Sequence, residues 1–505
     1  MTRFGTVLLG LALWVACSGT SQAFSLLGPL QDWQVERIGY DFDGDIGGPV
    51  RPNEGYRWNL PVITYAFDQS FITYFGEEGM RAVDQAMRIF NNLPPMNRIF
   101  DDGTSLFING EPVPTRTTLV NQDAVALGLL DVKSTAMRMV IEELGLANPE
   151  RFAWAIRGRN VINVTPDPDI TNYTLVNLSF DPITLQPSPV VNGIRYGYEI
   201  VETANPDVAD ALEIPVDPLE TFAFTSVAGG VSLFTATPST NLARLIFFNL
   251  NSGRFFTGLT HDDVGGLRWL YHPRNFAVEN LETNVTLGTP RVGGGSPWQP
   301  FFGTTNTAAG TNFLFNTNLL VREALRGGIN NIRFQRVNFD SLLGRTFVPI
   351  TNRFLDTFIT NGQATVQPVQ RVINQPDIIF ICEDLGLDTG SFPFFTARTS
   401  TDPANGAWIN NDAINGRDGQ NDGGPGVIEG PIFITFTDQL PVFFNQTGDQ
   451  FFIGAGPGGP RDDTLHIRSI LWGSFDETST PPILYPQYGD LSVQQLRQFA
   501  VGGGN

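Results

Sequence analysis

Leu259-Thr260-His261-Asp262-Asp263-Val264-Gly265-Gly266-Leu267-Arg268-Trp269-Leu270-Tyr271 carries the sharpest signal for regular structure in the chain. Thr260 and Asp263 have capping-box spacing, in which two side chains at a helix start satisfy each other's backbone N–H groups. Val264, Leu267, Leu270 and Tyr271 then fall on one side of a helix, and Pro273 ends the run. Reading outward, Asp131 stands as N-cap for Val132, Ala136, Val140 and Leu144, with Gly145 placed to end that helix. Earlier still, Trp58 to Phe67 has strand composition. It is followed by Met80, Val83, Met87 and Phe90, the apolar stripe of a helix that Pro94 and Pro95 stop.

Strands account for the rest. With 40 Phe, 53 Gly and 35 Pro, the composition predicts strands joined by tight turns. Tyr173 to Phe180 and Ile194 to Val201 read as hairpin pieces between the second and third helices. From Leu287 to Asn312 the chain shifts to Gly, Thr, Pro and Asn, which places a domain boundary there. Beyond it, strands are predicted at Ile332 to Val337, Ile378 to Cys382, Ile432 to Phe436 and Leu465 to Trp472. The fold class is therefore α+β, with an α+β domain over 24–286 carrying a hairpin insertion, a linker over 287–312 and a β-rich domain over 313–505.

The first residues predict export. A basic start at Arg3 leads into an apolar run from Val7 to Ala16 and then to Ser21-Gln22-Ala23, the small residues a signal peptidase reads, so residues 1–23 are a signal peptide. Trp14-Val15-Ala16-Cys17-Ser18 also resembles the lipobox of bacterial lipoproteins, with tryptophan where leucine is usual, so a lipid anchor at Cys17 is the competing form of the same export. No later stretch is apolar enough over roughly 20 residues to be a transmembrane segment. Either form of processing leaves Cys382, in the apolar run Ile379-Phe380-Ile381-Cys382, as a buried core residue without a disulfide partner. The formal charge of −20, with Lys133 the only lysine, argues against nucleic acid and anionic membrane as partners.

The order of the strand Pro61 to Phe67, the long first helix, and much later Leu259 to Tyr271 resembles the matrixin branch of the metzincin zinc peptidases. The last segment is similar to the closing helix of that family. The resemblance covers about residues 55–272 and implies a zinc-binding helix of the form H-E-x-x-H-x-x-G-x-x-H. Matching Leu144-Gly145-Leu146 to the end of that motif sets Arg138, Glu142 and Asn148 at the three histidine positions and Met139 at the general-base glutamate. Every catalytic position is changed, and no methionine follows where the family's Met-turn would lie. A local reading makes Glu142 and Glu143 solvated charges on an amphipathic helix.

Other constellations are weaker. The three histidines, His261, His272 and His466, are spaced unlike a ligand set, and the first two read as contacts at a helix's ends. Gly454 to Gly459 satisfies G-x-G-x-x-G, but Pro457 and Pro460 bracket it, so it reads as a turn. Two acidic loops offer calcium the converging oxygens it wants: Asp41, Asp43 and Asp45 in one, and Asp412, Asp418 and Asp422 in the other. Ordinary solvated turns are the alternative for both.

These observations predict an exported, non-catalytic extracellular or cell-surface protein with a binding or structural role and an extracellular ligand the sequence does not name. Its scaffold would be a degenerate metzincin-like domain followed by a β-rich domain, with calcium rather than zinc as the metal to look for. The competing expectation is a divergent secreted zinc metallopeptidase.

Overall fold

Val62–Phe67 (β1) is buried along nearly its whole length, as an interior strand of a parallel sheet must be. Its partners come from far along the chain. Arg333–Arg336 (β2) lies parallel on one side, with Arg333 opposite Val62, and Ile378–Glu383 (β3) lies parallel on the other, with Ile378 opposite Tyr65. Ile432–Thr437 (β5) continues the sheet in parallel beside β3, and Ala397–Thr401 (β4) closes the edge antiparallel, giving the order β2-β1-β3-β5-β4. A computed structural model supplies these coordinates and describes residues 22–28, 30–35, 38, 47–162, 170–202, 209–215, 225–228, 253–288, 320–383, 397–401, 408–410, 426–437, 439–444, 451–452, 465–469 and 472–486. Within them the fold is mixed α+β, with several sheets and a few helices.

Helix Gln69–Asn91 (α1) starts directly after β1, where the Asp68 carboxylate accepts the Ser70 N–H at 2.8 Å. Gly76, at φ 61° and ψ −160°, kinks it. Phe71 and Phe75 bury completely and extend into a run of rings through Phe436 to Trp472, with successive centroids 4.6, 5.5 and 5.1 Å apart. Each such ring hides roughly 150–250 Å², which makes this cluster the main apolar anchor of α1 on the sheet. Val83, Met87 and Phe90 of the expected stripe are buried and Met80 is half-buried at its edge.

Helix Val132–Glu143 (α2) packs against α1 and starts as the sequence predicts, with Asp131 accepting the Ser134 N–H at 2.8 Å. Val132, Ala136, Val140 and Leu144 are all buried. Gly145 ends it at φ +94°, and a Cβ there would stand 2.1 Å from the Tyr56 carbonyl oxygen, so glycine is required both by conformation and by space. Helix His261–Tyr271 (α3) has the predicted capping box between Thr260 and Asp263. At its far end the Tyr271 hydroxyl donates to the Leu144 carbonyl at 2.9 Å and accepts the Trp58 N–H at 3.2 Å, while Trp58 Nε1 donates to the Glu143 carbonyl at 2.7 Å. The entry to β1, the end of α2 and the end of α3 are thus clamped at one point.

A second, antiparallel sheet is built around the hairpin Ile350–Thr360 and Gln363–Ile373. Its two-residue turn, Asn361 at φ 51° and Gly362 at φ 74°, has the left-handed conformation that matches strand twist. The hairpin pieces expected between α2 and α3 form as Ala155–Ile162 with Ile170–Val176 and as Ile194–Glu202 with Ala209–Pro215. The four strands predicted beyond residue 312 form too, the last of them as Leu465–Ser469 and Trp472–Ser474. The central sheet runs across the expected division at 287–312, because β2 to β5 complete the sheet that β1 begins. A lone β1 would expose two edges and a helix-facing apolar surface, and these later strands are what cover it.

Buried ion pairs lie in the interior, and one of them, Arg371 with Glu282, joins residues on either side of the 287–312 stretch. Arg57 Nε meets Glu279 Oε1 at 2.6 Å, Arg326 Nε meets Asp356 Oδ1 at 2.9 Å, and Arg371 joins both Asp377 and Glu282, the latter at 2.7 Å. Burial together with the neighbouring charges of Asp377 and Glu429 pushes the Glu282 carboxyl up to about 8 against the pull of Arg371.

Candidate functional site

Helix α2 is where the resemblance to matrixins would put a catalytic metal. Arg138 and Glu142 are one turn apart on it, and Arg138 Nη1 lies 3.9 Å from Glu142 Oε1. The other guanidinium nitrogen, Nη2, reaches the Met139 sulfur at 3.2 Å. Asn148, beyond the Gly145 turn, accepts the Arg151 N–H on its amide oxygen at 2.8 Å. A guanidinium has no lone pair to give a metal at accessible pH, and an amide and a thioether are poor partners for zinc beside it. These four side chains do not fit a zinc ion. Among the described residues no group of three or more His, Cys, Asp or Glu side chains is placed to hold a metal. Asp41, Asp43 and Asp45, and likewise Asp412, Asp418 and Asp422, lie outside the described residues, as does the Gly454 to Gly459 turn.

The start of α3 is a concentrated polar centre. His261 is buried, with Nδ1 2.9 Å from Asp262 Oδ1 and Nε2 accepting the Leu106 N–H at 3.2 Å, so both ring nitrogens are committed to the protein and Nδ1 carries the proton. Asp262 Oδ2 accepts the backbone N–H groups of Ala23 at 2.9 Å and Asn192 at 2.6 Å. Asp263 accepts those of Thr260, Val227 and Ala228, each at 2.9 Å. Glu150 accepts from Thr225 N at 2.9 Å, Ser226 N at 2.8 Å and the Ser226 hydroxyl at 2.6 Å. Burial raises all three carboxyls, Glu150 to about 7, and the donated hydrogen bonds oppose that rise. Asp262 and Asp263 fix three distant segments, at Ala23, Asn192 and Val227–Ala228, to one helix end, where the helix dipole favours the negative charge, and Glu150 holds the neighbouring Thr225 and Ser226. The cap of α3 is legible in the sequence, but this role for Asp262 is not, and nothing in the sequence marks Glu150, whose partners lie 75 and 76 residues away.

His272 stands at the other end of α3, where its Nδ1 accepts the Arg274 N–H at 3.1 Å. Burial and then the charges of Arg268 and Arg274 lower its pKa. Cys382 is buried in β3, as its apolar setting predicts.

One cleft, of about 780 Å³, opens between the N-terminal segment and the hairpin that follows α2. Val176, Leu178 and Phe180 give it an apolar wall, and half-buried Trp33 gives it a flat one. Arg51 and Arg157 are exposed at its lining, and the Arg157 guanidinium sits 5.8 Å from the Trp33 ring centre. Glu54 lines the cleft as well, its carboxylate accepting the Arg51 N–H at 3.2 Å, so the cleft carries two guanidiniums against one carboxylate in a chain of net charge −20. No motif marks it in the sequence, because its lining comes from separate loops and from three strands, Gly48–Val50, Ala155–Ile162 and Ile170–Val176.

No protein-family model, no curated protein and no solved structure matches this chain. No described helix is long and apolar enough to cross a membrane.

Proposed function

We propose that this chain is an exported, non-catalytic extracellular or cell-surface protein with a binding or structural role, carried on a matrixin-like scaffold. The scaffold reading is supported by α1 following β1, α2 packing on α1, and α3 reaching back through Tyr271 to Leu144. The loss of catalysis is supported by one observation above all: Arg138 and Glu142, at positions the family gives to two imidazoles, are paired with each other. A Lewis acid that polarises a carbonyl and acidifies its bound water has no donor set here. The binding role falls to the cleft at Trp33, whose apolar walls and two guanidiniums, set against the one carboxylate of Glu54, suit an anionic ligand with a flat apolar body. Calcium at the two acidic loops is the metal this reading retains.

The test is elemental analysis of protein purified without chelator, together with incubation against a peptide library. The expected result is zinc well below one per chain and no chelator-sensitive cleavage. Stoichiometric zinc with cleavage that EDTA abolishes would overturn the reading in favour of a divergent zinc peptidase.

A further inference from the structure

The chain enters its described fold at Gln22, and it enters directly into the interior. The Gln22 N–H donates to Asp181 Oδ2 at 3.3 Å and the residue is buried. Ala23 has 0% exposure, packs in a small cluster with Ala153, Val191 and Tyr196, and donates its N–H to the buried Asp262 carboxylate at 2.9 Å. Phe24 exchanges both backbone hydrogen bonds with Phe180, at 2.9 and 2.7 Å, and its ring lies in the main core.

The bond that the small-residue rule selects for leader removal, between Ala23 and Phe24, is therefore flanked on both sides by core. Cutting it would delete Ala23 from its cluster and leave Asp262 Oδ2 with one donor fewer. It would also place a charged α-ammonium at the Phe24 nitrogen, which is already committed to the Phe180 carbonyl. The first two changes remove something the fold uses, since a buried carboxylate depends on its donated hydrogen bonds, and the third keeps a donor for Phe180 but sets a charge in the interior.

We infer that the mature chain retains Gln22 and Ala23, and that its leader is removed at a bond upstream of Gln22. The inference rests on the export reading above. The step is a hydrolysis: water adds across one peptide bond, leaving a carboxylate on the leader and a new α-ammonium on the mature chain. Upstream, the bond before Cys17 in Val15-Ala16-Cys17-Ser18 has small residues around it, and cutting there leaves a short tether ahead of Gln22.

Intact-mass measurement and N-terminal sequencing of the full chain, recovered from the envelope and medium of an exporting host, test this. The expected N-terminus lies between Cys17 and Gln22, and an acyl mass on Cys17 would support the inference and identify the anchor. An N-terminus at Phe24 overturns the inference while leaving export intact, whereas an unprocessed Met1 overturns the export reading itself. Ser21→Leu separates the two cutting sites without touching the described fold, because it removes the small residue three positions before the Ala23–Phe24 bond. Processing unchanged in that variant is the expected result where the parent's N-terminus lies between Cys17 and Ser21; accumulation of the uncut chain from such a parent would count against the inference, whereas a parent that begins at Gln22 has Ser21 directly before its own cut and is settled by the N-terminal sequence alone.

Discussion

Thr64 and Asp377 meet inside the central sheet, where one carboxylate oxygen of Asp377 accepts both the Thr64 backbone N–H at 2.7 Å and its hydroxyl at 2.8 Å. Arg371 holds the same carboxylate, with Nη1 3.0 Å from that oxygen. Residues 313 apart, one in β1 and the other at the entry to β3, are thereby joined by a buried charge-assisted contact.

Asp377→Asn should therefore be costly. It leaves the Arg371 guanidinium in the interior with less compensation, and breaking a buried pair from one side costs about 3–5 kcal/mol. Urea unfolding followed by tryptophan fluorescence should show the midpoint lowered, with one transition for β1 and β3 together. Two separated transitions would mean that the sheet does not couple the two parts.

Glu150 sets a pH dependence whose sign is opposite to that of an ordinary salt-bridged carboxylate. Burial raises its pKa from 4.5 to about 7 in the folded chain, so the folded state holds the proton more tightly than the unfolded one. Its contribution is fully present below pH 4.5 and is lost as pH rises through about 7, a change of roughly 3 kcal/mol. Glu150→Gln should be less sensitive to pH than the parent chain across that window when melting temperatures are compared. Parallel curves would remove Glu150 from the account.

Gly145→Ala tests the turn after α2. The position needs φ +94°, and the added Cβ would meet the Tyr56 carbonyl, so a loss of at least about 2 kcal/mol is expected. A melting temperature equal to the parent's would show that the turn relaxes freely.

Glu142→Ala should do much less. Its ion pair with Arg138 spans 3.9 Å at a partly exposed site, and pairs of this kind on a helix contribute about 0.3–0.5 kcal/mol. A loss several times larger in chemical denaturation would show that Glu142 holds something besides Arg138.

The scaffold reading is tested by restoring ligands. The triple variant Arg138→His, Glu142→His, Asn148→His returns imidazoles to the positions the resemblance assigns, and it should take up one zinc and gain melting temperature when zinc is added. A folded variant indifferent to zinc would count against a matrixin-like geometry. Circular dichroism of the variant distinguishes that outcome from misfolding.

Local signals and distant ones fared differently in the sequence. The Asp131 cap, the Gly145 stop and the Thr260–Asp263 box are legible because each depends on residues within a turn of one another. The strands Ile378–Glu383 and Ile432–Thr437 are legible as short apolar runs. Their place in one sheet with Val62–Phe67 is not, since a buried parallel strand carries no mark of which other strand it joins, and the glycine-rich stretch at 287–312 reads as a boundary although strands of one sheet lie on either side of it. For the same reason the partners of Arg371, Arg57 and Glu150 were hidden: an arginine or glutamate in sequence reads as surface until a distant segment covers it.

The order of strands in the central sheet dictates when this chain can fold. β1 is made early, near residue 62, yet its neighbours arrive only at residues 333 and 378, and the sheet is not complete until β5 at residue 432. The loop-closure entropy for such pairings has to be met before any of them stabilises the others, so assembly is slow and dominated by non-local contacts. During synthesis the first helix must wait beside an unpaired strand until residue 333 is made, about 270 residues after residue 62 and about half a minute at roughly 5–20 residues per second. Under the proposed export this late closure is an advantage to a chain threaded through a membrane unfolded, because the central sheet is not complete until residue 432 has been made.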